Sequence, residues 1–147
     1  MQWPPHITVA AVIERQDRFL VVEEETDEGR VFNQPAGHWE PGESLIDAVI
    51  RETREETAWR FRPLGVVGIY QWRVPRTGTT YLRFCFHGEV DEPRVERPLD
   101  TGILRAVWLS RQDLEREQRL RSPMVLRCID DYLAGHRFPL EILHAID

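Results

Sequence analysis

The chain has 147 residues, 41% of them hydrophobic and 30% charged, with a formal net charge of −6. This length and composition are typical of one folded domain with a hydrophobic core, so we expect a single domain over 1–147. The acidic balance disfavours binding to long nucleic acids, which depends on a basic surface. The sequence lacks an apolar run of the roughly 20 residues that a membrane helix needs and a basic-then-apolar N-terminus. We therefore expect a cytoplasmic protein without membrane attachment.

The two cysteines, Cys85 and Cys128, each lie among apolar neighbours. Free cysteines are among the most often buried residues, so we expect two unpaired buried thiols. A disulfide or a metal site is the alternative. It would call for a secreted context or a closer spacing of ligands.

The first forty residues predict β structure. Residues 7–13 and 19–23 are rich in β-branched and apolar side chains, and a polar turn between them predicts a hairpin. A charged loop is expected over 24–30. Residues 31–39 form an extended stretch that Pro35 makes irregular, because proline has no N–H to donate.

A helix is expected to follow, capped by Ser44 with Asp47 three residues later. Its apolar arc begins at Leu45. At about 100° per residue, Glu52 and Glu56 each lie about 20° from Leu45, on opposite sides. Two carboxylates therefore continue the inward face of the helix.

A solvated helix with ion pairs at i,i+4 is the simpler interpretation, and it accounts for Asp47, Arg51 and Arg54 on the outer arc. It does not account for Glu52 and Glu56, because an inward carboxylate costs several kcal/mol (order of magnitude) unless it is paired or metal-bound. Clustered carboxylate oxygens suit Mg²⁺ or Mn²⁺.

The second half of the chain predicts strands over 60–74 and 80–88, joined by a turn as a long hairpin. Within it, Arg83 is either a charge on an edge strand or a phosphate contact. The acidic loop 89–101 follows, and its Asp100 is in reach of a site if the loop folds back.

A further strand is expected over 103–109, followed by a short helix that Ser110 caps through Asp113. Pro123 opens a last helix, Met124 to Ala134. Four of its positions are expected to pack in the core: Met124, Val125, Ile129 and Leu133.

The stretch 37–59 has a fixed spacing of six positions over twenty residues: Gly37, Glu43, Arg51, Glu52, Glu55 and Glu56. This spacing resembles the Nudix box of the Nudix hydrolase superfamily. Other segments, including 19–24, 33–38 and 120–123, resemble the NudJ branch of bacterial Nudix enzymes. The stretch departs from the box at Thr53, where the box has an aliphatic residue, and at Ala58, where it has glycine.

The departure at Ala58 affects how the helix ends. A left-handed residue other than glycine costs roughly 1 kcal/mol or more. We therefore expect the helix to end differently here, with a small shift of Glu55 and Glu56.

The resemblance implies an α/β fold, an α/β/α sandwich around a mixed sheet. It also implies Mg²⁺-dependent hydrolysis, with Mn²⁺ as a substitute, of phosphoanhydride bonds in nucleoside tri- and diphosphates and in thiamine-type pyrophosphates. The implied metal ligands are Glu52, Glu55, Glu56 and the carbonyl of Gly37. Arg51 would orient the carboxylates and Glu43 would hold the loop. Glu56 is favoured as the base that activates water, with Glu52 next and Asp100 as a candidate outside the box.

For the organic half of the substrate, six side chains are candidates for the pocket wall: Asn33, Gln34, Gln71, Trp72, Tyr81 and Arg83. The alternative is core and edge packing for the aromatic residues and turn bonding for Asn33. Packing is the more common role for a residue such as Tyr81.

The expected partner is a small phosphorylated substrate, and a monomer and a homodimer are both compatible with the sequence. Two other functions are compatible with the resemblance. One is a binding module that senses a nucleotide without turnover, which loss of box carboxylates would favour; all are present here. The other is a hydrolase of dinucleoside polyphosphates or RNA ends, which the lack of a basic stripe disfavours.

Overall fold

A computed structural model describes residues 3–92 and 94–146. Its strands are β1 His6–Arg15, β2 Arg18–Thr26, β3 Gly29–Asn33, β4 Ala36–His38, β5 Phe61–Arg73, β6 Thr80–Val90 and β7 Ile103–Ser110. Its helices are α1 Leu45–Thr57, α2 Arg111–Arg116 and α3 Met124–Leu133, with a 3₁₀ turn at Leu140–Ile142.

The strands form one mixed sheet, seven-stranded within the described residues, with the path β3-β2-β1-β6-β5; β4 pairs with β1 and β7 with β2. The pairing of β1 with β6 is parallel, and the other strand pairs are antiparallel. β1 therefore lies at the centre, with β6 on one side and the short β4 on the other along its first half.

Helices cover the sheet on both faces. On one face Ala48 and Val49 of α1 pack against Val9, Phe61 and Phe86 of the sheet. On the other face the apolar side chains of α3 pack against those of β1, β5 and β6. The expected α/β/α sandwich is confirmed.

The first hairpin is confirmed, but the charged loop expected over 24–30 is wrong. β2 runs on to Thr26 and β3 starts at Gly29, so the two pair almost to their ends. The pattern of side chains in this segment is too polar for a buried strand, and the pairing is set by the neighbouring strands instead. Pro35 interrupts the next extended stretch as expected, and β4 begins after it.

The expectation that α1 ends differently is also wrong. Ala58 has φ 65° and ψ 3°, in the left-handed region, and its N–H donates to Arg54 O. The end of the helix thus keeps the geometry that glycine would give, at a conformational cost of roughly 1–2 kcal/mol. The Ala58 side chain is buried, so core packing offsets part of that cost.

Other expectations have clear outcomes. Ser44 Oγ accepts the N–H of Asp47 at 3.0 Å and caps α1. Cys85 and Cys128 are free and buried. Leu133 is half exposed and not in the core, because the last turn of α3 extends beyond the sheet. None of the described helices is long and apolar enough to cross a membrane.

Candidate active site

A cluster of carboxylates joins helix α1 to the loop after β6. One oxygen each of Glu52, Glu55 and Asp100 lies within 4.8 Å of the others. The backbone N–H of Asp100 donates to Glu55 O at 3.0 Å, which fixes the loop against the helix. The sequence-based expectation that Asp100 can reach the site agrees with this geometry.

Gly37 faces the same cluster from β4. A Cβ at this position would lie 2.1 Å from Glu52 Cδ. The Glu52 carboxylate thus approaches the strand backbone to a distance that only glycine permits. The glycine and the carboxylate, fifteen positions apart in the chain, form one structural unit.

Arg51 connects the acids to the loop before the helix. Its guanidinium donates to Glu43 through Nε at 2.9 Å and Nη2 at 2.8 Å, and through Nη1 to Glu52 at 2.8 Å and Glu55 at 3.3 Å. Nη2 also donates to the His38 carbonyl at 3.0 Å. The i,i+4 ion pair of the simpler interpretation is present between Arg51 and Glu55, but Arg51 is half-buried, and its further bonds agree with the implied role of orienting the carboxylates.

Charge and burial oppose each other in this cluster. Burial is the main cause that raises the pKa of Glu52 and of Glu55; the neighbouring carboxylates raise both further and Arg51 lowers both. The hydrogen bond from Arg51 is the main cause that lowers the pKa of Glu43. Glu43 is therefore a stable anion that holds Arg51, and the other acids are close enough to repel one another.

Glu56 is the most strongly perturbed acid. It is 8% exposed and its Oε1 accepts the N–H of Ala36 at 2.9 Å. Burial raises its pKa to about 9; the Ala36 N–H lowers it, and the charges of Glu52, Glu24 and Asp100 raise it. The wheel-based expectation that Glu52 and Glu56 point inward agrees with their burial. The three-carboxylate group itself contains Asp100 in place of Glu56.

The donor set of this cluster fits a hard divalent cation. The grouped ligand atoms are carboxylate oxygens only, which suit Mg²⁺ or Mn²⁺ better than softer metals. The raised pKa values of Glu52 and Glu55 show acids whose negative charges lack full compensation. A divalent cation would supply that compensation.

Of the three clustered acids, Glu52 lines a cleft of about 1020 Å³. Gly37, Glu52 and Glu56 line one end, and the β2–β3 hairpin, the β5–β6 hairpin and residues 120–124 supply the other walls. This volume is at the upper end of the range for small-molecule sites.

Four of the six predicted pocket residues line this cleft: Asn33, Trp72, Tyr81 and Arg83. Trp72 and Tyr81 lie along one wall with ring centroids 6.2 Å apart and planes at 24°. Asn33 also lines the cleft, and its Oδ1 is buried with no hydrogen-bond partner among the described residues. Trp72 and Tyr81 are half-buried cross-strand neighbours, so their stacked rings also agree with the alternative of packing at the sheet edge.

Arg83 lies deeper than these three, and the two remaining candidates, Gln34 and Gln71, do not line the cleft. Arg83 lines the cleft from the middle of the sheet and is 4% exposed, so its interpretation as an edge charge is wrong. Gln34 is 1% exposed, and its Oε1 accepts from Arg83 Nη1 at 2.7 Å, so it holds the arginine and does not reach a ligand. Gln71 is exposed and alternates with Trp72 onto the opposite side of β5.

Sequence reasoning missed several residues of the cleft. Thr8, Glu24, His38, Ser122 and Met124 all line it. Thr8 carried a signal as a polar residue in an otherwise apolar strand, and Glu24, His38 and Ser122 lie in segments that resemble the NudJ branch. Met124 enters the cleft only through the placement of α3.

The chain matches known proteins along most of its length. A model of the NUDIX domain matches residues 4–128. The phosphatases NudJ of Escherichia coli strain K12 and of Shigella sonnei are each 39% identical over 139 residues, covering 95% of this chain and 90% of theirs.

Solved structures give the same result. A NUDIX hydrolase from Nitrosomonas europaea has a TM-score of 0.94 and 50% sequence identity, covering 97% of this chain and 98% of its own. A MutT NUDIX hydrolase from Burkholderia pseudomallei has a TM-score of 0.73 at 20% identity, covering 88% of this chain and 98% of its own, which shows a shared fold. The chain therefore belongs to the NUDIX family and is a hydrolase of that family, with phosphatases named NudJ among its relatives.

Proposed function

We propose that this hydrolase cleaves a phosphoanhydride bond in nucleoside tri- and diphosphates, and in thiamine-type pyrophosphates, with Mg²⁺ as its cofactor and Mn²⁺ as a substitute. The observation that carries the proposal is the group of three carboxylates within 4.8 Å, of which Glu52 lines a cleft large enough for such a substrate. The relatives named phosphatase support the reaction class.

Glu52, Glu55 and Asp100 would hold the cation, with Glu56 and the carbonyl of Gly37 as the further ligands that the Nudix box implies. When bound, the cation would neutralise the negative charge of the phosphate oxygens and the further charge that develops on them in the transition state. Without it, the cluster would repel a phosphorylated substrate, because its carboxylates carry the same sign.

We assign water activation to Glu56. One of its oxygens is held by the Ala36 N–H. Its raised pKa keeps the carboxyl protonated near neutral pH in the metal-free protein, so the positive charge of the cation would have to lower that pKa before the other oxygen could accept a proton. A general base of this kind contributes about 10² to 10⁴-fold to a rate. Glu52 is the second candidate, and Asp100 is the third.

Arg51 and Glu43 act through the other acids and are positioning residues. The bidentate hydrogen bond between them holds the guanidinium in place. The guanidinium in turn orients the carboxylates of Glu52 and Glu55. Arg83, Trp72, Tyr81 and Asn33 would contact the rest of the substrate. We expect a monomer or homodimer that acts in the cytoplasm on small phosphorylated substrates, without long nucleic acids or membranes.

The test is phosphate release with Mg²⁺ from ATP, ADP, thiamine pyrophosphate and a capped RNA. Release from the first three and none from RNA is the expected result. Tight nucleotide binding without turnover would instead support a sensing module, and preference for capped RNA would support an RNA-end hydrolase.

Glu56→Gln is the matched variant, since it preserves shape and removes the basic oxygen. We expect it to lose at least 10²-fold in kcat while its circular dichroism spectrum stays that of the parent. A Glu56→Gln protein with the parental kcat would transfer the role to Glu52 or Asp100, to be decided by the Glu52→Gln and Asp100→Asn proteins.

A further inference from the structure

The floor of the cleft contains a guanidinium without a counter-ion. Arg83 is 4% exposed, and its Nη1 donates to the neutral side chain of Gln34. Its Nε is buried without a hydrogen-bond partner, and no carboxylate of the described residues pairs with it. A buried charge without a counter-charge destabilises the protein unless a ligand of opposite charge pairs with it.

A second unpartnered group lies beside it. Thr8 and Arg83 are direct neighbours in the pairing of β1 with β6, and both line the cleft. Thr8 is 6% exposed, and its Oγ1 has no hydrogen-bond partner among the described residues. A hydroxyl and a guanidinium N–H next to each other can both donate to one acceptor.

The start of helix α3 adds positive potential to the same region. Ser122 and Met124 line the cleft, and α3 runs for ten residues from Met124. The N–H of Met124 donates to Ser122 Oγ and that of Val125 to Ser122 O, so the helix contributes its dipole here and not these N–H groups. The N-terminus of such a helix has a partial positive charge. The residues at this end of the cleft thus favour an anion.

This region is separate from the carboxylate cluster. Thr8 pairs with His38 on one side and with Arg83 on the other, so His38 and Arg83 belong to strands two spacings apart. Two spacings correspond to about 10 Å between backbones, and Gly37 precedes His38. The two ends of the cleft therefore have opposite electrostatic character.

We propose that Arg83, Thr8 and the first turn of α3 form a metal-independent oxyanion site that binds a phosphoryl or carboxylate group of the substrate remote from the carboxylate cluster. The substrate would then be anionic at two places: one at the proposed metal site and one at Arg83. The assignment of this anionic group to the substrate rests on the proposed function. The existence of the oxyanion site does not depend on the proposed function.

One competing explanation lies inside the protein. The Cys128 thiol, on α3, is a neighbour of Arg83: burial raises its pKa, and the Cys85 thiol and the Arg83 guanidinium lower it, with a net lowering. A thiolate at Cys128 would neutralise Arg83 without any ligand. The experiment therefore includes a cysteine variant.

The experiment measures thermal unfolding of the full chain in EDTA against inorganic phosphate, with sodium chloride used to keep ionic strength constant. The Tm of the parent protein should rise by about 4 °C at a phosphate concentration ten times the Kd for phosphate. Acetate is the second probe. A shift with phosphate alone assigns the site to a phosphoryl group, and a shift with acetate alone assigns it to a carboxylate.

Arg83→Met should fold, because it removes a costly charge and keeps much of the apolar stem, and it should lose the shift. Arg83→Lys should retain a smaller one. The matched control is Arg62→Met, which removes an exposed arginine of β5 that pairs with Glu89, and it should respond like the parent. Glu52→Gln should also keep the shift, since the site is independent of the metal cluster.

Several results would overturn the proposal. These are no shift with either probe in the parent, an equal shift in Arg83→Met, or a shift that appears only in Cys128→Ser, which would identify the thiolate as the counter-ion. Phosphate release with Mg²⁺ is scored separately. A parent that hydrolyses ATP but shows no shift would refute the oxyanion site alone.

Discussion

At the scale of single residues, the contact between Gly37 and Glu52 defines the site most sharply. Gly37→Ala would place a methyl group 2.1 Å from Glu52 Cδ, so the carboxylate must move. A displacement of about 1 Å costs about 10²-fold in rate when it misplaces a catalytic group. We expect Gly37→Ala to lose about that much in kcat and to unfold within a few degrees of the parent. Activity within twofold of the parent would show that Glu52 tolerates displacement.

Glu56 makes the metal-free protein sensitive to pH. Its pKa in the folded state is raised to about 9 from the ordinary 4.5, so between those values the folded state binds more protons than the unfolded state. The contribution of Glu56 to stability is therefore fully present below about pH 4.5 and is lost as pH rises toward 9. Urea midpoints in EDTA at pH 5 to 8 should decrease for the parent and change less for Glu56→Gln. Equal slopes in the two proteins would contradict the assigned pKa.

The sequence revealed some of these residues and hid others for a physical reason. The inward direction of Glu52 and Glu56 follows from helix periodicity alone, which is a local property. The contact of Arg51 with Glu43 depends on how a loop folds over the helix. The roles of Gln34 and Arg83 depend on β6 lying in the sheet centre, which periodicity does not reveal.

At the scale of elements, the loop after β6 carries Asp100 to the cluster and is fastened to the end of α1. Arg94 Nε donates to Thr57 O at 2.9 Å, and the loop has a further bond from Asp91 N to Arg60 O at 3.0 Å. A cation at a helix C-terminus is also favoured by the helix dipole. Arg94 thus stabilises both the left-handed helix end at Ala58 and the approach of Asp100.

We expect Arg94→Ala to weaken Mn²⁺ binding by roughly tenfold or more, the low end of the value of one charge-assisted hydrogen bond, as measured by electron paramagnetic resonance. The control is Arg97→Ala in the same loop. Arg97 is exposed, and no hydrogen bond or ion pair of it is found among the described residues. If both variants bound Mn²⁺ equally, docking by Arg94 would not position Asp100.

Elements were predictable where the pattern was local and apolar. The strands at the start of the chain, the capped helix α1 and the hairpin of β5 with β6 all follow from alternation, caps and turns. The polar end of β2 and the strand β3 could not be predicted in this way, because their extended form is imposed by pairing with neighbouring strands. Strand pairing also overrides the preference of Ala58, since the helix must end where β5 begins.

At the scale of the whole molecule, folding creates the cluster from two distant parts of the chain. Glu52 and Glu55 come from α1 and Asp100 from a loop some 45 residues later, and Gly37 completes the approach from β4. The unfolded chain has no such group of oxygens, so a divalent cation that occupied the proposed site would bind the folded state selectively. Binding must then stabilise the fold by mass action.

The expected stabilisation is about 2.7 kcal/mol at a Mg²⁺ concentration one hundred times its Kd, or roughly 5–10 °C in Tm for a domain of this size. Asp100→Asn and Glu52→Gln should each reduce the shift, because each removes one negative ligand. Asp17→Asn is a suitable control, since Asp17 lies in the exposed turn between β1 and β2. The cation should also flatten the pH dependence in the parent, because it competes with protons for the same carboxylates. If Mg²⁺ did not change the Tm and the pH dependence of stability stayed the same, the catalytic cation would bind elsewhere than at this cluster.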